Sequence, residues 1–141
     1  MRIITSSLVD ILLWMIVSVS NLSADSYIVQ PESGKRLYKW DGEFVSNPST
    51  GERFYEWDDP YILVPTTGKR LFEWDGEYLM NPSSHKWIYR WDGTYVMDAG
   101  SGKRRYKWNG TYVTDPGSGK RLAEVEGAVP IPIIIVLMDR F

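Results

Sequence analysis

A tryptophan recurs at a fixed interval of 17 residues, and this spacing constrains the fold more than any other feature of the chain. The series is Trp40, Trp57, Trp74, Trp91 and Trp108, and Val125 takes the next place. Each tryptophan lies in nearly the same phrase, for example GKRLFEWDGEYLMNPSS at residues 68–84. Self-similarity at a short, constant period is typical of architectures in which one small unit is copied side by side.

Each unit has the pattern of a β-hairpin. Two six-residue runs rich in aromatic and branched residues, such as KRLFEW and EYLMNP, flank Asp75-Gly76, a pair favoured in two-residue type I′ turns. The connector to the next unit is three residues long and usually ends in glycine, as in Ser49-Thr50-Gly51, which suits a loop that needs one left-handed residue. Two such strands and two such connectors account for the period of 17 residues.

The sequence therefore predicts an all-β protein, an antiparallel β-meander of tandem 17-residue β-hairpin repeats over residues 25–129. A half repeat at residues 27–31 precedes six units, the last of them degenerate, so about thirteen short strands are expected. The periodicity leaves two forms open, a single layer wetted on both sides or a rolled sheet.

The expected register sets which residues share a face. A two-residue turn places Trp40 opposite Glu43 and Tyr38 opposite Val45, and both connectors return the chain with the same residues on the same side. One face then carries the tryptophan row, an apolar row and a row of arginines alternating with Asn or Asp. Aromatic residues such as Tyr61 and Tyr78 lie on the other face beside charged side chains.

Both ends of the chain depart from the repeat. Residues 1–24 have the layout of a secretory signal peptide, with Arg2, an apolar run at residues 11–19 and a cleavage site near Ser20 or Ala24. Asp10 is atypical and leaves an uncleaved interfacial anchor as the alternative. The apolar tail at residues 130–141 is expected to cap the last strand, cover the tryptophan face or drive association. It is too short for a membrane span.

The fourth repeat breaks the pattern at two positions. His85 stands where the other connectors have glycine, and we interpret it as a turn residue that tolerates the left-handed conformation rather than a ligand. Trp87 replaces an arginine, and the spacing of two places Trp87, Tyr89 and Trp91 on one face of a strand. This aromatic run is the expected site for a compact ligand, and simple packing within the sheet is the alternative.

The composition argues against several function classes. One histidine and no cysteine exclude the usual nucleophile and zinc motifs, and no cofactor or metal is expected. The aspartates of the Asp-Gly pairs are interpreted as turn residues rather than catalytic groups. A net charge of −2 gives no indication of a nucleic-acid partner. Charge is uneven, however, since residues 51–67 are acidic and residues 102–118 are basic.

Two functions are compatible with this pattern. The first is a secreted, non-enzymatic protein that binds an extracellular ligand, with a polysaccharide expected, through an aromatic ladder. Tryptophans two strands apart lie ~9.6 Å from each other, close to the length of a disaccharide. The expected contact residues are Trp40, Trp57, Trp74, Trp87, Tyr89, Trp91 and Trp108. The second is a self-assembling structural or adhesive extracellular matrix protein that associates through sheet edges or the apolar tail.

Overall fold

Twelve antiparallel strands follow one another around a closed barrel, and one helix follows the last strand. The computed structural model describes residues 24–140. The strands are β1 Ser26–Val29, β2 Arg36–Trp40, β3 Phe44–Ser46, β4 Arg53–Asp58, β5 Tyr61–Leu63, β6 Arg70–Trp74, β7 Tyr78–Met80, β8 Trp87–Trp91, β9 Tyr95–Asp98, β10 Arg104–Trp108, β11 Tyr112–Thr114 and β12 Arg121–Glu126. The helix, α1, is Ile131–Met138. The predicted signal peptide lies almost entirely outside the described residues.

The all-β meander of hairpin repeats is confirmed, and of its two predicted forms the sheet adopts the rolled one. The barrel closes because β1 pairs with β12 in the same register that joins the two strands of every repeat. Val125, in the tryptophan position, lies opposite Ile28, just as Trp40 lies opposite Val45. Gly127 keeps the positive φ of the turn glycines although no turn follows it. The half repeat at the N-terminus therefore completes the last unit.

This closure explains why there are twelve strands and not about thirteen. The last unit supplies one strand, β12, and β1 takes the place of its second strand. Residues beyond Gly127 are thereby released from the sheet. The apolar tail forms a helix and not a capping strand, and of the three roles expected from the sequence it covers the tryptophan face.

The turn inside each repeat differs from the predicted type I′ turn. Trp40 pairs with Val45 rather than with Glu43, so the turn is two residues longer and the two sides of the sheet are preserved. Only the glycine of each pair has positive φ, +100° at Gly42. The aspartate instead holds the turn through its side chain, because Asp41 Oδ1 accepts hydrogen bonds from the amides of Glu43 and Phe44 at 2.9 and 2.7 Å.

The connectors between repeats match the prediction. Each contains one residue in the left-handed region, and the glycines there have φ values of +71° to +77°. His85, with φ +59°, occupies this position in the fourth repeat and is the left-handed turn residue that the sequence indicated. An Asn or Asp side chain closes three of these connectors by accepting two backbone amides, as Asn47 does from Ser49 and Thr50 at 2.8 and 3.1 Å.

A β-bulge moves the arginines to the opposite face from the one predicted. In the third repeat Ile62 pairs with Phe72 but Leu63 pairs with Arg70, so Leu71 is the extra residue. Arg70 therefore lies on the outer wall, with its guanidinium carbon 3.8 Å from the centre of the Tyr61 ring. The same cation–π contact occurs in four other repeats: Arg36 on Tyr27, Arg53 on Phe44, Arg104 on Tyr95 and Arg121 on Tyr112.

The helix α1 fills the lumen of the barrel. All residues from Pro132 to Met138 are buried, and the helix is apolar on every side, as expected for a helix surrounded by protein. Twelve strands ~4.8 Å apart at a tilt of ~40° enclose a ring about 24 Å across, and facing side-chain layers take up ~10 Å of it. The remaining space of roughly 14 Å accommodates a helix ~10–12 Å in diameter.

The core is built in rings around this helix. Each of the five repeats with a tryptophan contributes a branched residue from its short strand and two aromatic residues from its long strand, for example Leu79, Phe72 and Trp74. The fully buried helix residues Ile133, Ile135 and Leu137 belong to the same cluster. The barrel and the helix therefore share one hydrophobic core, and neither has a separate one.

We expect Ile135→Ala to lower the free energy of unfolding by about 2–4 kcal/mol, because it leaves a cavity in the filled lumen. Urea unfolding followed by tryptophan fluorescence measures the change. Thr66→Ala, on an exposed connector, is the control and should change stability by less than about 0.5 kcal/mol. Equal effects of the two substitutions would mean that the helix does not pack inside the barrel.

The turn aspartates give a second prediction. Asp92→Ala should cost about 1 kcal/mol because it removes the acceptor of the Thr94 and Tyr95 amides, whereas Asp92→Asn should be nearly neutral. Asn109 already makes these bonds in the next repeat.

The amide of Tyr95 is the main cause of the lowered pKa of Asp92. The carboxylate's stabilisation is therefore complete above the unfolded pKa of about 3.9 and lost as the pH falls through the lower folded value. Urea denaturation of Asp92→Ala, Asp92→Asn and the unchanged protein between neutral pH and ~pH 2 measures this loss of stability.

Candidate functional site

The predicted tryptophan row exists, and it faces the lumen. Trp40 is 7% exposed, and the tryptophans of the next four repeats are half-buried against the cluster that contains the helix. These are Trp57, Trp74, Trp91 and Trp108. Tyr89 lies on the same inner surface. The side chains are in line as predicted, but the helix covers much of their surface, so they form no open ladder for a polymer on the outside of the barrel.

The tryptophan row reaches solvent at one end of the barrel. There Trp40, Trp57 and Trp108 line an open depression together with the turn glycines and with Val129 and Pro130, where the chain enters the lumen. Its lining is apolar side chains and backbone. It lacks the polar side chains that usually orient a ligand.

Trp87 is separated from this row and lies on the outer wall. The register shift in repeat four pairs Leu79 with Tyr89 but Met80 with Trp87, so Trp87 and Tyr89 are on opposite faces. The prediction that Trp87, Tyr89 and Trp91 share one face was therefore wrong, because the bulge was not visible in the strand periodicity. Trp87 is 54% exposed and is the exposed large apolar side chain of residues 24–140.

Trp87 takes the place of the wall arginine in its repeat. Its ring stacks on Tyr78 with centroids 4.0 Å apart and planes 14° from parallel. The equivalent tyrosine or phenylalanine in the five other positions carries a guanidinium. The wall therefore has one place where a charged, strongly hydrated group is replaced by a flat aromatic surface that water solvates poorly.

A depression of about 510 Å³ lies beside Trp87, between the β7–β8 and β9–β10 connectors. Its lining combines this aromatic surface with side chains able to donate or accept hydrogen bonds. The lining residues are Asn81, Ser84, Lys86, Trp87, Ile88, Asp98, Gly100 and Ser101. One aromatic platform with polar groups around it is the usual composition of a small-ligand site.

Asp98 supplies a fixed negative charge to this depression. Its Oδ2 accepts hydrogen bonds from Arg105 Nη2 at 2.7 Å and Nε at 3.0 Å. The Arg105 side chain holds the pKa of Asp98 below its ordinary value, so the carboxylate is ionised near neutral pH. The Asp98–Arg105 pair was not predicted from the strand periodicity. The signal was present, since Arg105 occupies a position that is Leu, Phe or Ile in every other repeat.

A second group missed from the sequence holds the end of the helix. Tyr89 Oη donates to the carboxylate of Asp139, at 2.9 and 2.8 Å from its two oxygens. Burial raises the pKa of Tyr89, and the bond to Asp139 adds to this effect, so the hydroxyl stays protonated and remains the donor. The guanidinium carbon of Arg140 lies 4.5 Å from the centre of the Phe54 ring. Tyr89, predicted as a ligand contact, is thus placed to anchor the helix.

Tyr89→Phe should lower the free energy of unfolding by about 1 kcal/mol, because it leaves the Asp139 carboxylate without this donor. Chemical denaturation of the purified variant measures the loss. Tyr106→Phe is the matched control, since Tyr106 occupies the same place in the next repeat and has no hydrogen-bond partner among residues 24–140. A loss of the same size in both variants would show that the anchor contributes nothing.

Residues 24–140 contain no group of three histidine, cysteine, aspartate or glutamate side chains arranged to hold a metal ion. Within the same part of the chain, no helix is both long and apolar enough to cross a membrane. No protein-family model matches this chain, and no curated protein or solved structure matches it either.

Proposed function

We propose that this is a secreted, non-enzymatic protein that binds an extracellular polysaccharide on the outer wall of its barrel, with Trp87 as the stacking surface. The observation that carries the proposal is the exposure of Trp87, 54%, beside a depression with polar walls. The other predicted contact residues, inside the lumen, have a structural role in this proposal.

A sugar ring has an apolar face that can stack on an aromatic side chain. A pyranose presents C–H groups on one side, and these pack well against a flat indole whose orientation is already restricted. Trp87 meets this requirement because stacking on Tyr78 limits its rotation before any ligand arrives. A free, rotating tryptophan would lose more side-chain entropy on binding.

Polar side chains around the depression complete the argument. Sugar hydroxyls lie at the ring edge, and they both donate and accept hydrogen bonds. Ionised Asp98 can accept from them, and Lys86 can donate to them. Hydrogen bonds to charged partners are stronger than neutral ones, which suits a shallow site that leaves much of its ligand in water.

The extracellular location in this proposal is supported by the sequence of residues 1–24, with its positive charge, apolar run and small residues. A cysteine-free barrel is compatible with that environment, since its stability comes from a shared hydrophobic core and needs no disulfide.

The alternative, a self-assembling matrix protein that associates through sheet edges or the apolar tail, has less support. Barrel closure pairs every strand of residues 24–140 on both sides, which removes the free edges that would recruit another chain. The tail is buried in the lumen from Pro132 to Met138. Self-association would need a different surface.

The test compares the protein with Trp87→Arg, which restores the residue found at this place in the other repeats. This variant should keep the barrel, because arginine on an aromatic ring is already used five times on the wall. Retention on insoluble polysaccharides, with tryptophan fluorescence during titration of soluble fragments, measures binding. We expect the variant to lose at least about tenfold in affinity, since a tryptophan at the centre of a binding surface typically contributes about 2 kcal/mol or more.

Thr66→Ala, away from the depression, should bind as the unchanged protein does. Circular dichroism and thermal unfolding of each variant establish that the barrel is intact. The proposal fails if the unchanged protein is retained on none of the polysaccharides, or if Trp87→Arg binds as tightly as the unchanged protein.

A further inference from the structure

The meander places each of the two kinds of turn, with the charged residues it carries, at one end of the barrel. The turns inside the repeats all lie at the end where α1 begins, and the connectors between repeats all lie at the opposite end. A repeat whose inner turn is acidic and whose connector is basic therefore gives a barrel with one acidic and one basic end, although the net charge is only −2.

The first end carries an acidic ring of exposed carboxylates. Its members are Asp41, Glu43, Asp58, Asp59, Asp75, Glu77 and Asp92 from the turns, with Asp25 and Glu126 at the closure of the barrel. Three of them have a cation nearby: Lys39 at 3.3 Å from Asp25, Arg90 at 2.9 Å from Glu77, and Arg36 at 4.0 Å from Glu126. The other six form no ion pair within residues 24–140, so this end keeps most of its negative charge.

The second end carries a lysine ring. Five of the six connectors expose a lysine directly after the left-handed residue, and Glu52 takes this position in the remaining one. The ring consists of Lys35, Lys69, Lys86, Lys103 and Lys120. None of these lysines forms an ion pair with a carboxylate of the described chain. Arg105 is paired with Asp98, so these two residues add no net charge. Exposed Arg140 adds positive charge, and the carboxylates of Glu32, Asp115 and Asp139 offset part of it, so this end keeps a positive balance.

The two rings match in symmetry because each repeat supplies one position to each. Both have about six positions at the radius of one barrel, so the acidic ring of one molecule can lie over the lysine ring of another with opposite charges in contact. We propose that this protein associates head to tail, acidic ring on lysine ring, with a second copy of the same chain as the partner. This proposal does not depend on polysaccharide binding.

One rotational setting of the two copies avoids every like-charge contact between the rings. The lysine ring has one acidic position, Glu52, and the acidic ring has one position without a carboxylate, the turn that begins at Asn109. These positions are three repeats apart, so a rotation of about half a turn between copies brings them together. Each of the five lysines then faces an acidic turn. Repulsion between like charges selects this setting over the other five.

The association has two properties that follow from its surfaces. Different ends of the molecule are joined, so each added copy presents a fresh end and the chain of copies does not close. Exposed charges supply the attraction, so it is weak, and salt screens it.

The experiment measures weight-average mass by sedimentation or light scattering over a protein concentration series. At ~10 mM salt, where the screening length is about 30 Å, we expect the mass to rise at least about twofold across the series. At ~0.5 M salt the mass should return to that of one chain. A single-chain mass throughout the low-salt series, or association that salt leaves unchanged, overturns the proposal.

Two sets of substitutions identify the surfaces. The acidic-ring variant carries Asp41→Asn, Glu43→Gln, Asp75→Asn and Glu77→Gln, and its turns are preserved because Asn109 makes the same turn bonds in the unchanged protein. The lysine-ring variant carries Lys35→Gln, Lys69→Gln and Lys120→Gln, on exposed side chains outside the Trp87 depression. Each variant alone should stay at the mass of one chain.

An equimolar mixture of the two variants distinguishes head-to-tail contact from every other arrangement. Each variant keeps the ring that the other has lost, so the mixture should form pairs of copies and stop there. Association of either variant alone as strongly as the unchanged protein, or failure of the mixture to pair although the unchanged protein associates, overturns the proposal. Thermal unfolding confirms that both variants are folded before they are mixed.

Discussion

The structure depends on the contact between the barrel wall and an apolar helix at its centre. Twelve strands make a ring too wide to be filled by their own side chains, and an unfilled lumen would lose both dispersion contacts and the exclusion of water. The tryptophans extend inward and the helix fills the remaining width. A tail that in isolation would be an exposed apolar segment thereby fills the space that the side chains of the strands leave open.

Because the inner face is occupied by packing, contacts with other molecules must come from the outer wall and the two ends. The outer wall is regular, with a guanidinium stacked on an aromatic ring in five repeats. Trp87 in the fourth repeat and Arg105 in the fifth depart from this pattern. Trp87 lines the depression that we propose as a ligand site, and Arg105 is paired with Asp98 in its wall, while the repeated charges at the two ends suit a partner with the same symmetry.

Much of the fold could be predicted from the sequence, and the errors about which residues share a face have one physical origin. Period and turn residues predicted the hairpins, the left-handed His85 and the alignment of Trp40 with its equivalents. Bulges were missed, since one extra residue such as Leu71 leaves the 17-residue period unchanged while it reverses the face of the residue before it. Arg70 and Trp87 were therefore assigned to the wrong face, and the candidate site was predicted among residues that line the lumen.

The sequence by itself determined the local structure: the strands, the positions of the turns, the 17-residue repeat and the charge carried by each kind of turn, because all of these depend on residues close together in the chain. Closure of the sheet, the join between Ile28 and Val125 and the placement of the helix in the lumen were decided only by the tertiary structure. These features depend on accumulated strand twist and on the space left inside the ring, to which every repeat contributes a little. No single unit encodes them.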